Sequence, residues 1–347
     1  MSGSYFWGMQ FGLFTFGDIG TNPATNETIT AQQRMQYLLE EAELAEQVGI
    51  DVFGIGEHHR PDYAVSAPAI VLAAIAARTK KIRLTSAVTV LSSEDPVRAF
   101  QQFATVDLLS NGRAELMAGR GSFIESFPLF GHNLNDYDVL FEEKLELLLR
   151  IRKSTIVNWE GKHTQTISQR GVFPRPVQEP LPVWIAVGGT PASVVRAAQY
   201  GLPLALAIIG GQPAQFVPLI NLYKEAWTKS GHAPVEIQFA INAHSFIAET
   251  SQQARDIFWP AYGAVMTRIG RERGWSPMTR AQFDAACGPN GHLLVGSPQE
   301  VSDKIAQHKE LFGHTRFAAQ MSIGAVPQSA LMKSIELFGT DVIPQFR

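Results

Sequence analysis

The chain has 347 residues, 45% of them hydrophobic, with a formal net charge of −3 and a single cysteine, Cys287. This supports a sizeable core in one large α/β barrel or two ordinary domains. Without a Lys/Arg block it offers nothing to nucleic acid or an anionic membrane, and one cysteine excludes an internal disulfide framework.

Residues 1–8 read as an extension before the first strand pattern at Met9. Phe11–Phe16 then reads as a strand, and Ala31–Val48 has the apolar spacing of a helix. Asp51–Gly56 is a second strand backed by a small-residue helix, Ala67–Arg78, and Ile82–Leu91 is a third. Asp95-Pro96 opens a helix to about Ser110, with Asp as N-cap and Pro at the first helical position. Asn111-Gly112 turns the chain into strand Ala114–Ala118, followed by a helix near Asp136–Arg152. Residues 155–181 break the rhythm as an irregular excursion with a hairpin.

Alternation resumes with strand Val183–Val187, helix Ala192–Tyr200, strand Leu202–Ile209, helix Gln215–Lys229, strand Glu236–Ile247 and helix Gln252–Arg268. A polar, Gly-rich insert covers 270–291. Helix Pro298–Leu311, strand Arg316–Ser322 and a last helix from Gln328 to Phe338 complete the pattern. Strands each followed by a helix, with no linker between halves, predict a single (β/α)8 TIM barrel with two insertions; a doubly wound open sheet is the fallback. No apolar run approaches the roughly 18 residues of a membrane span, no secretion-signal layout opens the chain, and a cytoplasmic protein is expected.

The strand ends carry the chemistry. Asp51–Gly56 stops abruptly at Glu57-His58-His59, although ionisable groups interrupt apolar packing and need partners or water. One histidine moving protons in a pocket is the functional reading; a buried, hydrogen-bonded structural histidine is the alternative. A metal site is not expected, because adjacent histidines point to opposite sides of a strand and other strand ends lack ligands. Gly119-Arg120-Gly121-Ser122 ends the fourth strand with a forked cation suited to phosphate, or with an ion pair at the barrel mouth. Gly188-Gly189-Thr190-Pro191 ends the fifth, with Thr190 as N-cap of a helix whose free amides suit an anion.

These residues, in this order, resemble the bacterial luciferase-like flavin-dependent monooxygenases from Met9 onward. The resemblance rests on Phe11-Gly12-Leu13-Phe14, Gly56–His59, Asp95–Arg98, Asp107–Arg113 and Gly119–Ser122. It continues through Phe127–Gly131, Val183–Thr190, Val295–Val301 and Leu337–Pro344. It implies a (β/α)8 barrel that pairs as a homodimer. It also implies that His58 handles protons, that Arg120 contacts a flavin phosphate, and that Gly188, Gly189 and Thr190 close over it. Ala87-Val88 falls where the family has a non-prolyl cis peptide beneath the flavin ring.

Three departures stand out. Gly188-Gly189 replaces Glu-Ser of luciferase, Gly119 replaces its reactive cysteine, and Asp138 replaces a second phosphate-contacting arginine, putting more weight on Arg120. Tyr137 is placed at the pocket wall. The implied activity is oxidation of a small organic substrate by dioxygen, with reduced FMN supplied by a separate NAD(P)H:flavin reductase. Phe14, Phe16 and Phe123 point to an apolar substrate. A deazaflavin-dependent oxidoreductase and a non-catalytic flavin-binding subunit remain as alternatives.

Overall fold

A computed structural model describes residues 8–121 and 123–347. All but Gly8 of the expected N-terminal extension therefore lies outside the described residues, as does Ser122. Eight parallel strands form a ring: β1 (Gln10–Thr15), β2 (Val52–Ile55), β3 (Arg83–Ser86), β4 (Ala114–Gly119), β5 (Val183–Val187), β6 (Leu204–Ala207), β7 (Phe239–Ile247) and β8 (Arg316–Ser322). Each pairs with the next in chain order, and β8 pairs back onto β1. The sheet is closed, so the open doubly wound alternative falls.

Helices α1 (Ala31–Gln47), α2 (Pro68–Arg78), α3 (Pro96–Ser110), α4 (Tyr137–Lys153), α5 (Pro191–Gln199), α6 (Val217–Lys229) and α7 (Ser251–Glu272) follow the first seven strands. Their ends obey local chemistry. Asp95 caps α3 by accepting from the Arg98 amide at 2.9 Å. The same helix stops at Asn111, whose φ of 56° is left-handed, a conformation a short polar side chain tolerates.

Three segments are sharper in the structure than in the sequence reading. The expected strand Ile82–Leu91 is interrupted at a cis peptide between Ala87 and Val88; Arg83–Ser86 and Thr89–Val90 are the paired pieces. The 155–181 excursion does hold a hairpin, Ile156–Trp159 against Ile167–Gly171. Its turn is fastened by the Glu143 carboxylate, which accepts from the amides of Lys162, His163 and Thr164 at 2.8–3.1 Å. The polar, Gly-rich 270–291 insert is partly helical. Its centre is helix α8 (Arg280–Cys287), started by a Thr279–Gln282 capping box and anchored by buried Phe283 and Cys287. Helices α9 (Pro298–Phe312) and α10 (Gln328–Leu337) then flank β8. No helix among the described residues is long and apolar enough to cross a membrane.

Inside the ring, bulk is distributed unevenly along the axis. At the N-terminal end, Arg316 donates to both Glu115 oxygens at 2.7 and 3.0 Å, and Arg83 Nε donates to the same carboxylate at 2.5 Å. The Arg316 guanidinium also lies 4.2 Å from the centre of the Trp184 ring. Above this plug come Phe14, Val52 and Met117, facing Ala205, Ala240 and Ala318. The alanines leave space towards the C-terminal ends of the strands, where barrel sites form.

Burial alone would raise the Glu115 carboxyl, but the Arg316 and Arg83 guanidiniums outweigh it and hold it at about 2. Its folded value lies below the ordinary 4.5, so its contribution is complete above pH 4.5 and is lost as pH falls towards 2. Substituting Glu115→Gln leaves the buried Arg316 guanidinium without its counter-charge and is expected to cost about 3–5 kcal/mol. Urea unfolding at pH 7 measures this; a loss below about 1 kcal/mol, the scale of a surface ion pair, contradicts it.

Candidate active site

The C-terminal rim of the barrel surrounds a cavity of about 350 Å³. Five residues singled out from the sequence line it together: Ala87, Val88, Arg120, Gly188 and Thr190. Gly189 sits between the last two, with a φ of +122° that excludes a side chain without strain. Tyr137 also lines the cavity, as do Phe14 and Phe16. Glycines make room for these walls. A Cβ on Gly54 would come within 2.5 Å of the Phe14 ring, and one on Gly119 within 2.7 Å of Val88 Cγ2. The cysteine of luciferase could not replace Gly119 without moving Val88.

Arg120 forms the ion pair at the barrel mouth that one of its sequence readings expected. Its Nη1 donates to Asp138 Oδ1 at 2.5 Å and its Nη2 to Thr190 Oγ1 at 3.2 Å, while its Cζ lies 5.1 Å from the Tyr137 ring centre. Tyr137 is itself fixed, donating its hydroxyl to the Gly121 carbonyl at 2.8 Å and stacking on Phe127. The Asp138 side chain is 67% exposed, so this ion pair is worth at most about 1 kcal/mol. A phosphate offering two acceptors can outbid it. Thr190 occupies the N-cap position of α5, yet its hydroxyl caps nothing; it accepts from Arg120 instead. A Cβ on Gly188 would meet nothing within 4 Å. The rim at β5 is therefore bare backbone beside a helix start and a guanidinium, which suits a phosphorylated ligand.

His58 is held differently from the others. It lines a second cavity of about 30 Å³ that shares Val88 and Gly121 with the larger one. Its ring is packed between Phe16 and Tyr63, with centres 4.4 and 4.3 Å away, and Phe123 stands edge-on at 5.3 Å. Among the described residues its Nδ1 has no hydrogen-bond partner. Burial, with the charges of His59 and Arg60 nearby, pushes its pKa down to about 3, so the ring is neutral at pH 7. The other two members of the triplet hold the loop: Glu57 binds His59 Nε2 at 2.9 Å and accepts from the Val90 amide at 2.9 Å. Phe123 lies beneath Arg60 at 4.5 Å and belongs to the smaller cavity. No three His, Cys, Asp or Glu side chains among the described residues are grouped to hold a metal.

Sequence reading missed the opposite wall. Asn242 and His244 on β7 and Gln320 on β8 all face the large cavity. The signal was present: each is a polar residue inside an apolar strand, and alternate residues of a barrel strand point inwards.

Comparison with known proteins identifies the family and the fold. Residues 9–315 match the family model of the luciferase-like monooxygenases. N-acetyl-S-alkylcysteine monooxygenase of Bacillus subtilis is 29% identical over 295 residues, 80% of this chain and 84% of that enzyme. Monooxygenase RslO1 of Streptomyces bottropensis superposes with a TM-score of 0.83 at 26% identity, over 98% of this chain and all of that one. The same fold, at 20% identity and a TM-score of 0.77, is found in the oxygenating component of 3,6-diketocamphane monooxygenase from Pseudomonas putida, solved with FMN, over 98% of this chain and 99% of that one. It is also found at 20% identity in a coenzyme F420-dependent reductase of Methanopyrus kandleri. The chain belongs to the luciferase-like monooxygenase family.

Proposed function

We propose that this protein is an FMN-dependent monooxygenase that oxidises a small, largely apolar organic substrate with dioxygen. The observation that carries this reading is the convergence of Arg120, Thr190 and bare Gly188-Gly189 backbone on one end of an apolar cavity floored by Ala87-Val88. Arg120 and the amides at the start of α5 would hold the phosphate, and Val88, Phe14 and Gly119 would flank the ring. Bound there in reduced form, FMN supplies the electrons that activate dioxygen. The chain's own work is to bind, orient and keep water out, which the Phe14 and Phe16 walls favour. A separate NAD(P)H:flavin reductase would deliver reduced FMN, and the protein would act as a homodimer in the cytoplasm.

His58 is proposed as the proton-handling group. A neutral imidazole with a free Nδ1 accepts a proton only as acid character develops in the group beside it. A deazaflavin in place of FMN is the second reading, favoured by the F420-dependent neighbour on the same fold. A ring of that kind supports hydride transfer without oxygen, so oxygen consumption separates the two. Anaerobic titration with reduced FMN, followed by air and the candidate substrate, tests the reading; substrate turnover by hydride exchange with F420 alone, without oxygen consumption, contradicts it.

Arg120 and Asp138 should act in opposite directions. Arg120→Ala is expected to weaken FMN binding by about 10- to 100-fold, the scale of charged hydrogen bonds. Asp138→Asn frees the guanidinium and should tighten binding about threefold or more, within the worth of a surface pair. Flavin fluorescence titration reads both, and equal weakening by the two variants would refute a phosphate at Arg120.

The ring state of His58 is checkable by nuclear magnetic resonance. Its folded pKa of about 3 lies below the ordinary 6.5, so the unfolded chain binds this proton first and stability drops as pH falls from 6.5 towards 3. The folded resonance is expected to show no titration between pH 8 and pH 5; a midpoint near 6.5 rules out the buried neutral ring. His58→Ala should leave FMN affinity within about threefold while cutting turnover by about 100-fold, as loss of general acid–base catalysis does.

A further inference from the structure

The β7–β8 wall of the cavity holds three polar side chains that the scheme above does not use; Asn242 donates to the Ala318 carbonyl at 3.4 Å, which leaves His244 and Gln320. His244 and Gln320 are paired in register on adjacent strands, which sets them side by side about 5 Å apart. Both are buried, with 6% and 1% of their surfaces exposed, and both line the large cavity. In a ring of eight strands, β8 is four strands from β4, so this wall faces the Arg120 rim across the cavity.

Their hydrogen-bonding needs are unmet. Gln320 Nε2 has no partner among the described residues, and an unpaired buried amide costs about 1–3 kcal/mol. The one contact of the His244 ring is at Nδ1, 3.5 Å from the Tyr262 hydroxyl. Burial holds that phenol well above its usual range, so it stays protonated. If it donates to Nδ1, the ring proton is left on Nε2. Turned over about its amide, the Gln320 side chain presents Nε2 to the cavity in place of Oε1, which no hydrogen bond among the described residues opposes. The wall then offers two neutral N–H donors, one from an imidazole and one from a carboxamide, and no charge. Neighbouring surfaces are apolar: Phe14 pairs with Gln320 from β1, and Ala205 and Ala207 continue the wall on β6.

We propose that His244 and Gln320 form a subsite that holds the carbonyl oxygen of the organic substrate, opposite the phosphate rim. This rests on the cavity being the reaction chamber of the function proposed above. Two converging neutral donors fit a ketone or aldehyde oxygen. A carboxylate would lack a counter-charge there, and a plain hydrocarbon would leave both donors unpaired. The apolar remainder of the cavity takes the hydrocarbon body. His244 and Gln320 thereby select substrates by an oxygen, while Asn242 on the same wall is engaged with the Ala318 carbonyl.

The test compares two ring probes of the same shape, cyclohexanone and methylenecyclohexane, by ligand-observed NMR, with FMN titrated in parallel. Wild type, Gln320→Met and His244→Phe are used, both variants keeping side-chain bulk, and thermal unfolding reports whether each is folded. Wild type should prefer the ketone by about tenfold, the worth of one or two hydrogen bonds. Either variant should reduce that preference to within about twofold, with FMN affinity held within about threefold. No ketone preference in wild type, or one that survives in both variants, overturns the proposal. So does a fall in FMN affinity of about tenfold or more in a folded variant, which would assign the donors to the cofactor instead. If wild type fails to bind FMN yet shows and loses the ketone preference as described, the subsite stands and the FMN reading falls.

Discussion

Every second side chain of a closed parallel barrel shares a narrow interior, so the placement of bulk along the axis decides where a cavity can exist. Here the bulk is low. Arg316, Glu115, Arg83 and Trp184 fill the N-terminal end with a fully partnered ion cluster. Alanines at 205, 240 and 318 thin the middle. Glycines at 54 and 119 let Phe14 and Val88 turn over the strand ends instead of being pushed outwards. The site is the space left above that plug.

Its electrostatics follow from the same economy. Among the described residues the large cavity is lined by one guanidinium, that of Arg120, which is already shared between Asp138 and Thr190. An anion there must displace an exposed carboxylate, which is a weak competitor. On the proposed reading, Asp138 would tune affinity without abolishing it. The histidines deeper in the barrel are governed by burial, not by charge partners: His58 and His244 are both pushed to about 3. A site built this way orients with neutral groups and reserves charge for its rim.

Much of this was legible in the sequence. Strand–helix alternation gave the barrel, and Asp95-Pro96 and Asn111-Gly112 marked the ends of α3 correctly because those residues act through their own backbone neighbours. The rim residues Arg120, Gly188 and Thr190 announced themselves as glycine and polar breaks at strand ends. What escaped was non-local or overruled by stronger cues. The Thr190 hydroxyl left its capping role for Arg120, 70 residues away. The Thr279–Gln282 capping box was outweighed by the Gly, Pro and polar residues around it. Asn242, His244 and Gln320 were passed over because each sits in an otherwise apolar strand. In a barrel that is where an inward polar group is most informative. Asp138 was recognised as a missing arginine, but its pairing with Arg120 depends on how α4 approaches β4, which spacing does not encode.

The same fold is found in an oxygenating component solved with FMN and in a coenzyme F420-dependent reductase, so the fold alone does not choose a cofactor. The account turns on where a phosphate sits. A crystal structure of the protein soaked with FMN measures this directly. The account predicts the phosphate within hydrogen-bonding distance of Arg120 and the Gly189 and Thr190 amides, with the ring against Val88. A phosphate bound away from Arg120, or a ring outside the cavity walled by Phe14 and Val88, would contradict it.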